Sequence, residues 1–507
     1  MRKRDRVQQV AGVLGELLAG EARARWRRGR NGALDPEEME RRRAQALSGA
    51  LERLGPLYIK VGQVLSTRPD IVSTAVIEAL QDLHEQVEVR PFSEFEPVLE
   101  ADLGADWVRR FRDIDTDHPI GAASIAQVYG AVFQDGTRVA IKLQRPGVAA
   151  AVRLDMEILA QAVRLVSRRA QVTAEIFQPD AMLETIFSAM RPEIDFTAEA
   201  ANMAEFRVLL DRYGGLRVPE VFESTRQVLV MSRAPGVSIN ECNLDDFTAE
   251  ERREIGRAVV TMVFRGFMVD GVFHGDPHPG NIFVSPGERA TLIDFGIIGR
   301  IDRRTSLGYT RFMLGMALND GEAAGRAALE MATLTSRSDV PGFLSDMQRY
   351  IPTVSNQALG KMDLGTSFNR FLTFYTRRGI AVNPAIALLG KASANMEGSL
   401  RRIAPELNPF EVFRDTMGSI LRDQAKRQLE GAELMRLASE AFLAGHAVPE
   451  QVRYLASSIV NGQYVVRIRD DGHAVHEARE DARARAMRRT LIGIAAAALW
   501  LDHRRRR

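Results

Sequence analysis

A chain of 507 residues is too long for a single hydrophobic core, so we expect roughly two to four domains or lobes. With 45% hydrophobic and 26% charged residues and a formal net charge of +2, it has the composition of a globular protein, and we expect no nucleic-acid partner. The only cysteine, Cys242, excludes an intrachain disulfide and favours a reducing compartment.

Residues 1–110 are predicted to form a helical N-terminal extension. Val7, Leu14 and Leu17 recur at helical spacing beside many basic residues. This pattern predicts an amphipathic helix that lies either on a membrane surface or on the body of the protein. Asp35-Pro36-Glu37-Glu38 marks the start of a further helix, because proline is favoured in the first helical turn.

From about Phe111 the pattern changes to short strands, and residues 111–240 are predicted to form a smaller lobe. Ile125–Val132 and Arg138–Leu143 have strand composition, and the turn between them predicts a hairpin. The second strand contains Val-Ala-Ile-Lys, which delivers the phosphate-binding lysine, here Lys142, in kinases. Alone, such a lysine would be interpreted as a solvated strand edge, so its assignment depends on residues further downstream.

Two helices are predicted next, at about 148–170 and 180–211, the second interrupted near Pro192. Val218–Phe222 and Gln227–Met231 are predicted to pair as strands. The segment Met231–Gly236 would then be the hinge between two lobes.

Residues 241–470 are predicted to form a larger and mostly helical lobe. Glu250–Asp270 has the pattern of an amphipathic helix. Ile282–Val284 and Thr291–Asp294 are predicted to form a small hairpin. The chain after Asp302 is predicted to be helical through about residue 470.

The hairpin carries the most specific pattern in the chain. His-Gly-Asp-Pro-His-Pro-Gly-Asn contains Asp276 and Asn281, and Asp294 opens the Asp-Phe-Gly sequence that follows. Magnesium prefers hard oxygen ligands, so a carboxylate and an amide oxygen on adjacent loops are suited to Mg·ATP. Together with Lys142 upstream, these residues stand in the order of a kinase-type site. Small-molecule phosphotransferases of the aminoglycoside and choline kinase type share this pattern, so the substrate stays open.

Other motifs narrow the assignment. Lys60-Val61-Gly62-Gln63 precedes the strands, Gly121-Ala122-Ala123-Ser124 stands in place of a glycine-rich phosphate loop, and Glu193-Ile194-Asp195 lies before Glu199. In this order the motifs resemble the UbiB/AarF/ADCK family of atypical kinases, over about residues 50–300. The resemblance implies an α+β, protein-kinase-like two-lobed fold with a helical N-terminal extension and a mostly helical C-lobe.

The resemblance also implies a role for individual residues. Lys142 would bind nucleotide phosphates and pair with Glu199, Asn281 and Asp294 would hold Mg²⁺, and Asp276 would be the base or water-orienting carboxylate. The remaining positions form two groups. The nucleotide would also contact Ala122, Ala123, Ser124 and Met231, whereas a regulatory cover over the site would involve Lys60, Gly62, Gln63, Glu193 and Asp195. Of these, Glu193 and Asp195 would meet either the extension or the metal near the phosphates.

Two histidines in the loop have different expected roles. His274 is interpreted as a structural brace of the loop rather than a catalyst. His278 stands where many kinases place a lysine near the transferred phosphate, and either a catalytic or a structural role is open.

The sequence departs from the family pattern at several places. Gly121 replaces the first alanine of the loop and is expected to alter nucleotide handling, and Ser232 stands where a hinge glutamate is common. No Ala-Pro-Glu follows Asp-Phe-Gly at activation-segment distance, which argues against phosphorylation of protein substrates.

Residues 471–507 are predicted to form a basic tail. Leu491–Leu501 is uncharged but shorter than the roughly 17–25 residues of a bilayer span, so we expect peripheral attachment or anchoring at the cytoplasmic face of a membrane. The sequence thus predicts an Mg·ATP-binding atypical kinase or ATPase in isoprenoid-quinone (ubiquinone) biosynthesis or related lipid metabolism. Its partners would be a lipid or quinone precursor and biosynthetic enzymes. The alternatives are a small-molecule phosphotransferase and a nucleotide-gated lipid-binding scaffold with little turnover.

Overall fold

The computed structural model describes residues 3–28, 36–66, 73–81, 89–169, 190–355 and 364–429, together with four residues between 183 and 187. The predicted basic tail and its apolar segment lie outside these ranges, as does most of the first half of the helix predicted at 180–211. Within the described residues the predicted α+β, kinase-like architecture is confirmed, with a strand-rich lobe, a helical lobe and helices that precede both. The predicted domain boundaries stay predictions.

The described part of the chain up to residue 81 forms four helices: α1 (Lys3–Arg28), α2 (Pro36–Leu54), α3 (Pro56–Ser66) and α4 (Thr74–Gln81). Apolar residues of α2 and α3, including Leu54 and Leu57, pack against Val152 of α6 (Val148–Arg169) and against Ile194. This packing ties the extension to the smaller lobe and thereby fixes where α3 lies.

A buried ion pair fastens α1 to the same place. Arg6 Nε donates to Asp155 Oδ1 of α6 at 2.6 Å, and both side chains are more than nine-tenths buried. The same guanidinium donates to the carbonyl oxygen of Leu54, at the junction of α2 and α3. Val7 and Val10 are buried, so α1 lies on the body of the protein, which is one of the two predicted arrangements.

The smaller lobe is built on an antiparallel sheet of six strands: β1 (Phe111–Ile114), β2 (Gly121–Ala122), β3 (Ala126–Phe133), β4 (Arg138–Gln144), β6 (Val221–Ser224) and β7 (Val228–Ser232). Their order is β1-β3-β4-β7-β6, with β2 paired to β3. Helix α5 (Glu96–Leu103) packs on one face through Leu99, against Tyr129 and Ile141. Lys142 therefore lies on a central strand, opposite Val128 and Leu229.

Helix α7 (Phe196–Tyr213) crosses this lobe beside the sheet. It begins at Asp195, whose side chain accepts a hydrogen bond from the backbone N–H of Thr197, as an N-cap does. The predicted strand Val218–Phe222 was wrong in its bounds, because Pro219 has no N–H to donate to a ladder. The structure instead has β5 (Leu216–Arg217) and, after the proline, β6.

The chain passes between the lobes at the predicted hinge. Gly236 has a positive φ of 76°, and a Cβ there would lie 1.9 Å from the carbonyl oxygen of Val284, so only glycine fits. Beyond it, β8 (Val237–Ser238), β10 (Ile282–Val284), β11 (Ala290–Leu292) and β5 form a small sheet in the order β5-β11-β10-β8. A second small ladder pairs β9 (Val272–His274) with β12 (Ile298–Arg300). Both ladders hold the loops that carry Asp276 and Asp294.

Helix α8 (Ala249–Arg265) has a capping box between Thr248 and Glu251 and continues as a π-helical turn, Gly266–Asp270. The remaining helices are α9 (Arg303–Ala317), α10 (Gly321–Glu330), α11 (Val340–Ser355), α12 (Leu364–Arg377), α13 (Pro384–Ile403) and α14 (Pro409–Leu429). The prediction of helix alone after Asp302 missed a short ladder between β13 (Ala332–Thr333) and β14 (Ala381–Val382). Such two-residue strands are too short to leave a period in the sequence.

Candidate active site

Lys142 and Glu199 form the ion pair that a kinase uses on the nucleotide side. Lys142 Nζ donates to Glu199 Oε1 at 2.7 Å and to Oε2 at 2.8 Å, and it lies 3.9 Å from Asp294 Oδ1. The Glu199 side chain is only 3% exposed. Burial opposes the charged lysine, but Glu199 and Asp294 outweigh it and raise the pKa of Lys142, so the ammonium stays protonated.

Asp294 and Asn281 provide the oxygen atoms expected at a magnesium site. Asn281 donates its side-chain N–H to the carbonyl oxygen of Asp276 at 3.1 Å, an orientation in which its Oδ1 is the atom available to a cation. Burial alone would raise the pKa of Asp294, but Lys142 and the N–H of Gly296 outweigh it and lower the pKa. The carboxylate is therefore ionised at neutral pH.

These residues fit Mg·ATP. No cluster of three or more His, Cys, Asp or Glu suited to a metal ion occurs among the described residues. Mg²⁺ differs from zinc in this respect, since it commonly takes one or two protein oxygens and completes its octahedron with phosphates and water. A Cβ added at Gly296 would lie 3.3 Å from both Asp294 Oδ1 and Glu193 Oε1, so the missing side chain keeps the space between these carboxylates open.

His274 braces the two acidic loops, as the sequence predicted. Its Nδ1 accepts from the backbone N–H of Asp276 at 3.2 Å, and its Nε2 is hydrogen-bonded to the carbonyl oxygen of Asp294. This arrangement requires the neutral ring with its proton on Nε2. Burial lowers the pKa of His274 accordingly.

An ion pair connects the predicted cover to the site. Lys60 Nζ of α3 donates to Glu193 Oε1 at 2.5 Å, and the lysine is 9% exposed. Burial works against the charged form, yet Glu193, with further contributions from Asp276 and Asp294, raises the pKa of Lys60. Helix α3 thus places a cation near the carboxylates of Asp276 and Asp294, and Gly62 and Gln63 follow in the same helix.

The alanine-rich loop lies at the edge of β2 and β3. Ala122 and Ala123 are exposed, the N–H of Ala123 donates to the carbonyl oxygen of Ala126 at 2.8 Å, and Arg145 Nε donates to the Ala123 carbonyl oxygen at 2.8 Å. Ser124 follows in the turn. A Cβ at Gly121 would lie 3.8 Å from Val128, an ordinary contact, so the departure from alanine has no steric cause.

Three predicted residues lie in other arrangements. Asp195 uses its carboxylate as the cap of α7, as described above, rather than at the metal site. Met231 is buried on β7 opposite Ala140, and its contact with a nucleotide stays a prediction. His278 accepts the N–H of Gly280 at 3.0 Å and caps the turn Pro279–Asn281, which is a structural contact.

Sequence reasoning missed two residues that contact Asp276. Lys391 Nζ donates to Asp276 Oδ2 at 3.2 Å, and Asn395 Nδ2 donates to Asp276 Oδ1, both from α13. Lys391 lies 115 residues beyond Asp276, and nothing in its local pattern distinguishes it. One compositional signal was present: the chain has 62 arginines but only six lysines, so each lysine stands out.

Comparisons with known proteins identify the family of this chain. Residues 82–328 match the ABC1 atypical kinase-like domain. The probable protein kinase UbiB of Cellvibrio japonicus is 30% identical over 470 residues, which are 90% of this chain and 84% of that protein. The chain belongs to the ABC1/UbiB family of atypical kinase-like proteins. An uncharacterized protein of Synechocystis is also 30% identical, over 70% of this family member and 89% of its own length.

Two solved structures show more distant likeness. A Mycobacterium tuberculosis protein in complex with erythromycin is 22% identical, with a TM-score of 0.45, and the match covers 73% of this chain and 97% of that one. The Rio2 kinase of Chaetomium thermophilum in complex with ADP, Mg²⁺ and phosphoaspartate is 13% identical, with a TM-score of 0.25, over 69% and 99%. Family membership rests on the sequence relatives instead. In the described part of this family member, no helix is both long and apolar enough to cross a bilayer.

Proposed function

We propose that this protein binds Mg·ATP and transfers its terminal phosphoryl group as an atypical kinase or ATPase. The observation that carries the proposal is the Lys142–Glu199 pair at 2.7 Å with Asp294 within 3.9 Å of the same ammonium. An ordered lysine, a buried glutamate and an ionised aspartate are the parts that hold the phosphates and metal in kinases.

The residues divide the work as follows. Bound Mg²⁺ would neutralise phosphate charge, with Asp294 and Asn281 as its protein ligands. Lys142 orients the phosphates, and Glu199 fixes Lys142. The backbone of Asp276 is held by His274 and Asn281, and its carboxylate faces the acceptor. The carboxylate takes a proton from a hydroxyl acceptor or, where the acceptor is water, orients that water for attack.

The cover favours a small acceptor. Lys60 of α3 pairs with Glu193, and the negative charges of Asp276 and Asp294 also contribute to its raised pKa. This supports a position of α3 beside Asp276, where the acceptor would bind. Water or a small hydroxyl compound fits such a covered site better than a protein chain does. This supports ATP hydrolysis or transfer to a small molecule.

The first test measures Mg·ATP binding and turnover by purified protein. Asp294→Asn removes the metal carboxylate and should abolish Mg-dependent binding. Asp302→Asn is a matched control, since Asp302 caps α9 through Thr305 and lies outside the site. Equal binding with and without Mg²⁺, or normal binding by Asp294→Asn, contradicts the metal assignment. Binding without turnover under any condition would favour the nucleotide-gated scaffold, and phosphorylation of a small hydroxyl compound would favour the phosphotransferase.

The cellular role that we propose is support of isoprenoid-quinone biosynthesis or related lipid metabolism at a membrane surface. It is supported by the relatives named probable protein kinase UbiB, at 28–30% identity in two of them. Lipids and quinones should be profiled in cells lacking the protein and complemented with wild type or Asp276→Asn. Failure of both the empty vector and Asp276→Asn to restore the profile is expected of an enzyme. Restoration by Asp276→Asn would contradict a catalytic role.

A further inference from the structure

Helix α13 contacts the carboxylate of Asp276 at both of its oxygen atoms. Lys391 Nζ lies 3.2 Å from Oδ2, and Asn395 donates to Oδ1. One turn further, Ser399 Oγ donates to the carbonyl oxygen of Pro277 at 2.8 Å. Three side chains on one face of a single helix therefore fix the side chain and the backbone of the same loop.

Helix α13 is a rigid support for these contacts. The adjoining face of the helix carries buried apolar residues at helical spacing, namely Ile386, Leu389, Ala392, Met396 and Leu400. Such packing in the larger core resists displacement, because shifting a close-packed helix by even a fraction of its pitch breaks many contacts. Lys391 and Asn395, four residues apart, project from this helix side by side.

The amino-acid choice at position 391 is informative. Lysine is rare in this chain, with six against 62 arginines, yet three of the six, Lys60, Lys142 and Lys391, contact or face the catalytic carboxylates. Arginine and lysine are not interchangeable, since lysine is a compact point charge and guanidinium is a broad planar fork. We therefore interpret lysine at these three positions as a sign that the space beside the carboxylates fits a compact ammonium better than a guanidinium group.

The hydrogen bonds also limit what Asp276 can do. A carboxylate whose two oxygens each accept one donor cannot rotate freely, and each oxygen keeps a lone pair for one more partner. The Asp276 side chain is only 20% exposed and that of Lys391 is 26% exposed, so solvent competes weakly for these bonds. The carboxylate is thereby held in one orientation before an acceptor arrives.

We propose that Lys391 and Asn395 are positioning residues of the phosphotransfer centre, which orient Asp276 toward the phosphoryl acceptor from the C-lobe. This inference rests on the proposed Mg·ATP turnover. It assigns a role on the acceptor side to two residues of α13, a helix that lies after all the kinase motifs in the sequence. The nucleotide itself is held by Lys142 and the metal ligands, so the positioning pair should affect turnover and leave nucleotide affinity unchanged.

The test compares Lys391→Met, Lys391→Arg and Asn395→Leu in the full-length protein. Methionine keeps the unbranched side chain and its packing but removes the charge, and leucine keeps the approximate volume of asparagine without its donor. We expect kcat for Mg·ATP turnover to fall roughly a hundredfold in Lys391→Met and Asn395→Leu, the loss typical of a catalytic group misplaced by about 1 Å. The Kd for Mg·ATP should not change, and Lys391→Arg should recover part of kcat.

Arg401→Met is the matched control, because it removes a cation from the same helix whose side chain pairs with Glu397 and is 63% exposed. Its kcat should equal that of wild type. Wild-type kcat in Lys391→Met would overturn the positioning role, and so would an equal loss of kcat in Arg401→Met. A parallel loss of Mg·ATP affinity or of thermal stability would assign Lys391 to general structure. Wild-type protein that binds no Mg·ATP or never turns it over would instead overturn the proposed function, and the inference with it.

Discussion

The two halves of the candidate site, the proposed nucleotide side around Lys142 and the proposed acceptor side around Asp276, are built in different ways. On the nucleotide side, Lys142 of a central strand meets Glu199 of α7, 57 residues later and within the same lobe. On the acceptor side, Asp276 meets Lys391 of α13, 115 residues later. The first pair belongs to the recognisable kinase motifs, whereas the second depends on how the C-lobe helices pack.

The two sides also differ in what a lost partner would leave behind. Glu199 is almost fully buried, and burial raises its pKa against the opposing effect of Lys142. Asp276 is more exposed and has two donors. Loss of a partner on the nucleotide side should therefore lower the free energy of unfolding. Loss of a partner on the acceptor side should mainly lower the rate of turnover. Variants at Lys142, Lys60, His274 and Asp195 distinguish these two outcomes.

Lys142→Met should be the most damaging change. It leaves Glu199 buried without its cation, which costs roughly 3–5 kcal/mol, or less where the carboxyl takes up a proton. Urea unfolding measures this loss. The double variant Lys142→Met/Glu199→Gln should regain most of the stability but none of the Mg·ATP affinity. If the single variant unfolds at the wild-type urea concentration, the pair does not stabilise the lobe.

Lys60 and Glu193 link the cover to both sides. In a double-mutant cycle with Lys60→Met and Glu193→Gln, contacting partners should show a coupling of about 0.5–3 kcal/mol in urea unfolding. Each single change should also alter Mg·ATP affinity or turnover, because Lys60 contributes positive charge near Asp276 and Asp294. Arg53→Met is the control, since its pair with Glu16 is exposed. If the unfolding free energies of the two changes are additive and Mg·ATP affinity and turnover are unchanged, the assignment of a cover is wrong.

His274 joins the two sides, and it should make stability depend on pH. Burial lowers its pKa below the ordinary 6.5, so between pH 6.5 and the lowered value the unfolded chain binds a proton that the folded chain does not. Stability should therefore fall as the pH drops below 6.5, with a slope of up to about 1.4 kcal/mol per pH unit.

Urea midpoints of metal-free protein from pH 7.5 to 5.5 measure this slope. His274→Gln should flatten it, whereas His118→Gln, at an exposed histidine, should not. A slope that persists in His274→Gln would assign the effect to other groups.

Asp195→Ala should have the smallest effect and tests whether this residue belongs to either side. Loss of the α7 cap should cost about 1 kcal/mol of stability, as for other N-caps, without changing the magnesium dependence of ATP binding. Asp320→Ala, which removes the cap of α10, should cost a similar amount. If the magnesium requirement for ATP binding changes in Asp195→Ala but not in Asp320→Ala, Asp195 contributes to the metal site.

Sequence reasoning succeeded where function is encoded in short, ordered motifs. The kinase-like fold and family membership were predicted, and the structure brings Lys142, Glu199 and Asp294 together as that pattern suggested. It was less successful where tertiary packing decides. Asp195 belongs to a motif that predicts a site residue, but in the structure its carboxylate caps α7. Lys391 and Asn395 lie in an ordinary amphipathic helix, and only the fold places them on Asp276.

The scarcity of lysine makes the cleft chemically addressable. An amine-directed reagent can modify only six side chains in 507 residues, and three of those lie in the candidate active site. Because Lys60 and Lys142 are largely buried and their pKa values are raised, they should react more slowly than Lys391, whose side chain is 26% exposed. Lysines 60, 142 and 391 should differ in how a bound nucleotide shields them from the reagent.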